Sequence, residues 1–300
     1  MISDYIGNRA IIRLRKTEEY FGVRSAIYAS LESHNPSGSV KDRAALFMIK
    51  SAIEDGAIRE GGVVIEATSG NMGISLSLLS NLYGYQAIIV MPENMSVERQ
   101  RLIRALGGEV ILTPAERGMG GAIERAEEMA RDINAFVPSQ FTNQKNLLAH
   151  YSTTGPQIFA AMDGVVDIFV AGVGTGGTIS GAGKYLKEKN PLVRIVAVEP
   201  QESAVISGKM RGSHGIQGIG AGFIPPIFDP HLIDEVIAPT TEEAMEYQRI
   251  LLKKEGIFAG ISSGAALFSA VRLAEREENV GKNIVTIFAD GGERYLSIIP

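Results

Sequence analysis

The 300-residue chain has no cysteine, which excludes a disulfide framework and a thiolate metal site and fits a reducing compartment. Its four histidines, His34, His150, His214 and His231, are scattered without metal-ligand spacing. All four read as structural or surface residues, and no metal is expected. Positive charge is also short. The 29 basic side chains face 34 acidic ones, a net charge of -5, which argues against nucleic acid as a partner, since a phosphate backbone needs a basic face. No apolar run approaches the roughly 20 residues of a membrane span. The start, Met1-Ile2-Ser3-Asp4-Tyr5, has neither the basic lead nor the apolar centre of a signal peptide. These absences lead to an expected cytoplasmic protein of one large or two medium domains.

What is present is a regular alternation. Short apolar runs such as Val63-Val64-Ile65-Glu66-Ala67, Ala87-Ile88-Ile89-Val90-Met91 and Val110-Ile111-Leu112 are separated by helical spacing over 74–83, 96–106 and 120–132. A second series follows: a helix over 146–161, a strand over 167–171, a helix over 176–189 and a strand over 194–198. Helices over 241–255 and 263–275 and a strand over 283–288 complete it. Continuous apolar strands between helices predict twisted, mostly parallel sheets covered on both faces, in two α/β units that break near residue 145. Residues 11–32 read as two strands around a polar turn. Residues 208–232 hold too many glycines and prolines for a helix and read as a long loop, functional or mobile.

The chain is organised around Asn35-Pro36-Ser37-Gly38-Ser39-Val40-Lys41-Asp42-Arg43. This turn breaks into a helix, with Ser39 placed to cap it. Lys41 then falls in the first turn, where the helix dipole opposes its charge. A lysine so placed is a candidate for a depressed pKa and for work as a neutral amine.

Three glycine-rich turns, each after an expected strand or at a helix start, supply possible guests for it. Gly172-Val173-Gly174-Thr175-Gly176-Gly177-Thr178 offers bare amides at a helix N-terminus, an anion site. Gly172, Gly174 and Gly177 also spell the dinucleotide fingerprint, with Glu199 ending the next strand, so a nicotinamide-dependent oxidoreductase is a rival reading. Thr68-Ser69-Gly70-Asn71-Met72-Gly73 suits a substrate carboxylate. Gly260-Ile261-Ser262-Ser263-Gly264 is a third such turn. Two anion sites and one awkward lysine describe a phosphorylated cofactor with a small carboxylate substrate, and pyridoxal phosphate meets that description.

The lysine stretch, Thr68-Ser69-Gly70-Asn71, Gly174-Thr175-Gly176-Gly177-Thr178, Gly218-Ile219-Gly220-Ala221-Gly222-Phe223-Ile224-Pro225 and Gly260-Ile261-Ser262-Ser263-Gly264 together resemble the cysteine synthases (O-acetylserine sulfhydrylases), of the tryptophan-synthase β type. Ile6-Gly7-Asn8 and Gly292-Glu293-Arg294-Tyr295-Leu296-Ser297 extend the likeness over essentially the whole chain. The resemblance implies the pyridoxal-phosphate fold type II. It places a smaller mobile domain at 36–144, with an N-terminal arm at 1–12, and a larger cofactor-binding domain at 13–35 plus 145–300. Lys41 would carry the cofactor, and Asn71 would bond its phenolic oxygen. Gly174, Thr175, Gly176, Gly177 and Thr178 would hold its phosphate, and Ser262 would face the pyridine nitrogen. Thr68, Ser69, Gly70, Asn71, Met72, Gln140 and Gly220 would surround the substrate.

The implied reaction is a β-replacement, with Lys41 taking and returning the Cα proton, acetate leaving Cβ and sulfide adding there. Related alternatives are cystathionine formation, use of O-phosphoserine and cysteine breakdown to sulfide. The family also implies a homodimer and a docking site for the C-terminal tail of serine acetyltransferase. Departures from its pattern are Arg9-Ala10 for the usual Thr-Pro, Met72 for a threonine beside the carboxylate, and Asp290 where a serine is common. The chain also ends at Pro300, earlier than many relatives.

Overall fold

The structure, a computed structural model, describes residues 1–8 and 10–298. Arg9 and Pro300, two of the departures noted above, lie outside the described residues. Strand β1 (Ile11–Arg13), helix α1 (Arg15–Phe21) and β2 (Ala26–Leu31) lead to α2 (Lys41–Glu54). Next come β3 (Val63–Ala67), α3 (Asn71–Leu82), β4 (Gln86–Pro92), α4 (Val97–Ala105), β5 (Gly108–Thr113) and α5 (Gly118–Ile133). The second series is α6 (Gln144–Ala149), α7 (Gly155–Ala161), β6 (Ile168–Gly172), α8 (Gly177–Lys189) and β7 (Arg194–Val198). After a long irregular stretch come β8 (Glu235–Ile237), α9 (Thr241–Glu255), α10 (Ile261–Ala274) and β9 (Asn283–Phe288).

The strands form two sheets, one of six in the order β1-β2-β9-β6-β7-β8 and one of three in the order β3-β4-β5. Only the β1–β2 pairing is antiparallel. Each sheet buries both faces. In β6 and β7, Ile168, Val170, Val196 and Val198 pack toward α9 and α10, while Phe169, Ala171, Ile195 and Ala197 pack toward α7 and α8. This two-sided burial is why these strands read as continuous apolar runs. The small sheet repeats the scheme, with Val64 and Ile89 facing α2 and α3, and Ile65 and Ile88 facing the alanines of α5.

Three local expectations need correction, and one strand was not expected. The polar turn within 11–32 holds α1, which closes on Gly22 at φ 65° and stacks Phe21 on Tyr247 at 5.3 Å. That long-range contact gives the short polar segment an apolar anchor. The helix expected over 146–161 is two helices joined by a π-helical turn, His150–Thr154, a feature common at functional sites. Strand β8, three residues at a sheet edge, has no apolar run to announce it. Ser39 is not the cap of α2. The capping position is Val40, and the Ser39 hydroxyl accepts the Lys41 amide at 3.3 Å.

The start of α2 is fixed by burial in three directions. Asp42 accepts the Ser37 amide at 2.7 Å and the Ser75 hydroxyl of α3 at 2.6 Å, and burial pushes its carboxyl up. Arg43 donates from Nε and Nη2 to the two oxygens of Glu32, each at 2.8 Å, and both side chains are almost fully buried. Burial acts to raise the Glu32 carboxyl, but the guanidinium, together with hydrogen bonds from Asn35 and Ser30, outweighs it and holds Glu32 below its usual value. Arg43 also reaches the Gly7 carbonyl, Thr153 and Gln157. Removing one partner of such a pair strands the other without a counter-charge. Arg43→Ala is therefore expected to cost roughly 4 kcal/mol, read from the urea unfolding midpoint. A loss below about 1 kcal/mol, the range of surface pairs, would show that the pair is not a structural anchor.

Candidate active site

A cavity of about 260 Å³ opens between the two sheets, beyond the carboxyl ends of β3, β6 and β9. Open α/β sheets place their ligands there, where consecutive connections diverge. Lys41 reaches it from the first turn of α2, and Thr68, Ser69, Gly70, Asn71 and Met72 from the β3–α3 turn. Gly174, Thr175, Gly176 and Thr178 line it from the β6–α8 turn, Gln140 from the segment before α6, and Ser262 from α10. Of the residues expected at the site, Gly177 and Gly220 lie outside this wall. Gly177 sits behind it, against the Asn146 carboxamide. Gly220 packs on Pro200 and His214, while its neighbours Gly218, Ile219 and Ala221 face the cavity.

The β6–α8 turn is bare because nothing else fits. A Cβ at Gly174 would run into the Gly218 carbonyl, and one at Gly177 into Asn146. Gly176 has φ 86°, and a Cβ there would lie 2.7 Å from that of Phe228. Gly174, Thr175, Gly176 and Thr178 are left lining the cavity at the positive end of the 13-residue α8, the kind of site an anion requires. Asn146 donates to Thr175 Oγ1 and to the Gln140 carbonyl, each at 2.9 Å, which ties this turn to the opposite wall. Beneath Thr178 lies the buried His150, whose Nε2 is 3.2 Å from the Thr178 hydroxyl. Burial, with the charges of Arg43 and Lys41, drives its imidazole well below the usual value, so it stays neutral.

Across the cavity, burial lowers the Lys41 pKa, and the Asp290 carboxylate opposes that effect. Desolvation, rather than the helix dipole invoked from sequence, is thus the main origin of its depressed basicity. Asp290 is not solvated. It is 1% exposed, and its Oδ2 accepts Asn71 Nδ2 and the Tyr295 hydroxyl, both at 2.6 Å. Its Oδ1 is buried with no hydrogen-bond partner among the described residues. Arg294 donates to Asn71 Oδ1 at 2.6 Å, so the Asn71 carboxamide is held from both ends. Met72 is 1% exposed and packs in the core of the small sheet, where it supplies no hydroxyl to a carboxylate.

Glu66, Asn146, His150 and Arg294 were missed as site residues. Glu66 alone had a visible signal, a carboxylate inside an apolar strand. Among the described residues no group of histidine and acidic side chains is arranged to hold a metal.

An amine of lowered basicity in the same cavity as an amide cradle fits a phosphate-bearing aldehyde, and the residues present therefore fit pyridoxal phosphate. Residues 2–290 match the model of the pyridoxal-phosphate-dependent enzyme family. The chain belongs to that family. It is 45% identical over 297 residues to the cysteine synthase of Staphylococcus aureus, covering 99% of this chain and 95% of that one. The crystal structure of cysteine synthase from Entamoeba histolytica superposes with a TM-score of 0.96 at 44% identity, covering 99% and 89%. That of a hydrogen sulfide-producing enzyme from Fusobacterium nucleatum does so at 0.93 and 42%, covering 99% of both. The chain is thus a pyridoxal-phosphate enzyme of the cysteine synthase type, with the expected fold of two mostly parallel sheets. The nicotinamide reading of Gly172, Gly174 and Gly177 is overturned by the family match.

The site stores an electrostatic cost at Glu66. Burial pushes its carboxyl from 4.5 up to about 7, against the backbone bonds from Ser139 and Gln140. The folded chain holds this proton more tightly than the unfolded one. The stability that follows is complete below about pH 4.5 and is lost as pH rises through about 7, a change of about 3 kcal/mol. In urea unfolding, the wild type should gain stability relative to Glu66→Gln as pH is lowered from 8 to 5. A constant difference between the two would contradict the assignment.

Proposed function

We propose that the protein joins O-acetyl-L-serine and sulfide to give L-cysteine and acetate. The observation that carries this reading is that Lys41, the glycine-rich turn at 174–178 and the Thr68–Asn71 turn all line one cavity. In this reading Lys41 holds the cofactor, and Gly174, Thr175, Gly176, Gly177 and Thr178 receive its phosphate. Asn71 meets its phenolic oxygen and Ser262 its ring nitrogen. Thr68, Ser69, Gly70, Asn71 and Gln140 grip the substrate carboxylate, with Met72 and Gly220 close by.

When bound, the cofactor would draw electrons from Cα and so acidify the Cα proton, and the electron pair that proton leaves behind would expel acetate from Cβ. The chain supplies the rest. Lys41 takes the Cα proton as a base whose basicity burial has lowered, and returns it after sulfide has added at Cβ. The polar turn 68–71 orients the carboxylate by hydroxyls and amides. Movement of residues 36–144 toward the larger sheet would exclude water from the cleft.

A homodimer, a cytoplasmic location and capture of a serine acetyltransferase tail in the same cleft belong to the proposal on family likeness alone. Among the described residues, no helix is long and apolar enough to cross a membrane.

The purified protein should show a band near ~410 nm, the absorbance expected of the lysine-bound cofactor, that shifts with O-acetylserine and not with serine. Lys41→Ala should lose that band and at least about a thousandfold in kcat for cysteine formation. Turnover retained by Lys41→Ala would sink the chemistry.

A further inference from the structure

Gln140, the substrate-side residue of the proposed function, sits in a short turn with no helix or strand of its own. Its position is imposed from outside. Glu66, on β3 and 5% exposed, accepts the Ser139 amide at 2.9 Å on one oxygen and the Gln140 amide at 3.5 Å on the other. Ser139 is held at φ 55°, a left-handed conformation that a serine keeps only when its surroundings require it. The Asn146 carboxamide then joins the Gln140 carbonyl to Thr175 in the phosphate turn. We infer that Glu66 is a positioning residue whose carboxylate seats Gln140 in the cavity wall and so sets the affinity for the amino-acid substrate. The inference rests on the role proposed for Gln140.

Only a carboxylate serves here. Two backbone amides converge on Glu66, the Gln140 side chain also bonds to it, and a protonated carboxyl or a carboxamide puts a donor where one of these partners needs an acceptor. No other charge shares the work. Strand β4, helix α3 and residues 134–143 carry no titratable side chain. Helix α5 meets the sheet through Ala122, Ala126 and Ala130, and its charged residues Glu124, Arg125, Glu127, Glu128, Arg131 and Asp132 are exposed. The residue that grips the turn therefore loses its grip as it takes up a proton near neutral pH. A carboxylate that weakens the fold at neutral pH and binds only a turn at the cavity has the pattern of a group kept for function.

The test compares Glu66→Gln and Gln140→Ala with the wild-type holoenzyme. At pH 8, Glu66→Gln should raise KM for O-acetylserine about tenfold, the worth of one charge-assisted hydrogen bond, with kcat and the cofactor spectrum unchanged. The ratio of the two KM values should fall toward one at pH 6, where the wild type has lost its carboxylate. Ionisation of the substrates themselves cancels in that ratio. Amide hydrogen exchange across 136–143 gives a readout independent of turnover. Protection at Ser139 and Gln140 should drop in the wild type as pH falls through 7, and should be low and pH-independent in Glu66→Gln.

A raised KM in Gln140→Ala beside a wild-type KM in Glu66→Gln overturns the role of Glu66 and leaves the proposed function standing. Wild-type KM in both variants overturns the assignment of Gln140 as well. If O-acetylserine is not turned over at all, or Glu66→Gln does not fold, the wild-type exchange series decides alone. Protection that does not change between pH 6 and 8 overturns the inference.

Discussion

Two opposite charges shut away from water hold the rest of this molecule in register. Arg43 and Glu32 are almost fully buried, and such a pair is stable only when its geometry is nearly ideal and its remaining protons find acceptors. Those needs restrict α2 far more tightly than apolar packing would. The guanidinium must meet the end of β2, the Gly7 carbonyl and the π-helical turn at once. With Arg43 so bound and Asp42 directed at Ser75, the one direction left to Lys41 is the cleft. The reactive amine is aimed by its neighbours' constraints.

The cleft itself is made of chain ends rather than of one element. The turns after β3, β6 and β9 converge there because parallel strands all deliver their carboxyl ends to the same side of a sheet. Contacts at the end of β9 tie the lysine segment to the large sheet. Val40 donates to the Ala289 carbonyl at 2.8 Å, Ser39 bridges to Asp290, and Gly260 donates to the Asp290 carbonyl at 3.0 Å. Asp290 thus has two tasks: its backbone joins the lysine segment to the large sheet, and its side chain holds Asn71 beside Lys41. A serine at that position has no carboxylate to offer Asn71 and Tyr295. The departure from the family pattern is therefore an electrostatic one at the centre of the site.

Much of the site was legible because its chemistry is local. A helix N-terminus binds an anion most closely where small residues leave its amides uncovered, so Gly174, Gly176 and Gly177 announce themselves from the sequence. Thr68, Ser69 and Asn71 likewise sit at a strand-to-helix turn that the hydrophobic pattern locates. Residues that act on the site from behind were illegible. Asn146 and His150 lie in a stretch that reads as plain helix, and their roles exist only because α6 and the π turn pack under the β6–α8 turn. Helix α1 was hidden for the same reason, Phe21 finding its stacking partner Tyr247 more than 200 residues away.

Short-range physics, then, was written in the order of the residues: apolar period, turn chemistry, the bare cradle and the lysine ahead of its helix. Charge environment was not, because a group's free energy in a protein depends on which atoms replace its water. Asp290 reads as an acid of unknown placement in the string of letters and is a buried one in the fold. Glu66 reads as a flaw in an apolar strand and proves to be the anchor of a distant turn. Those outcomes were settled only when two sheets closed around the same few side chains and excluded solvent from them.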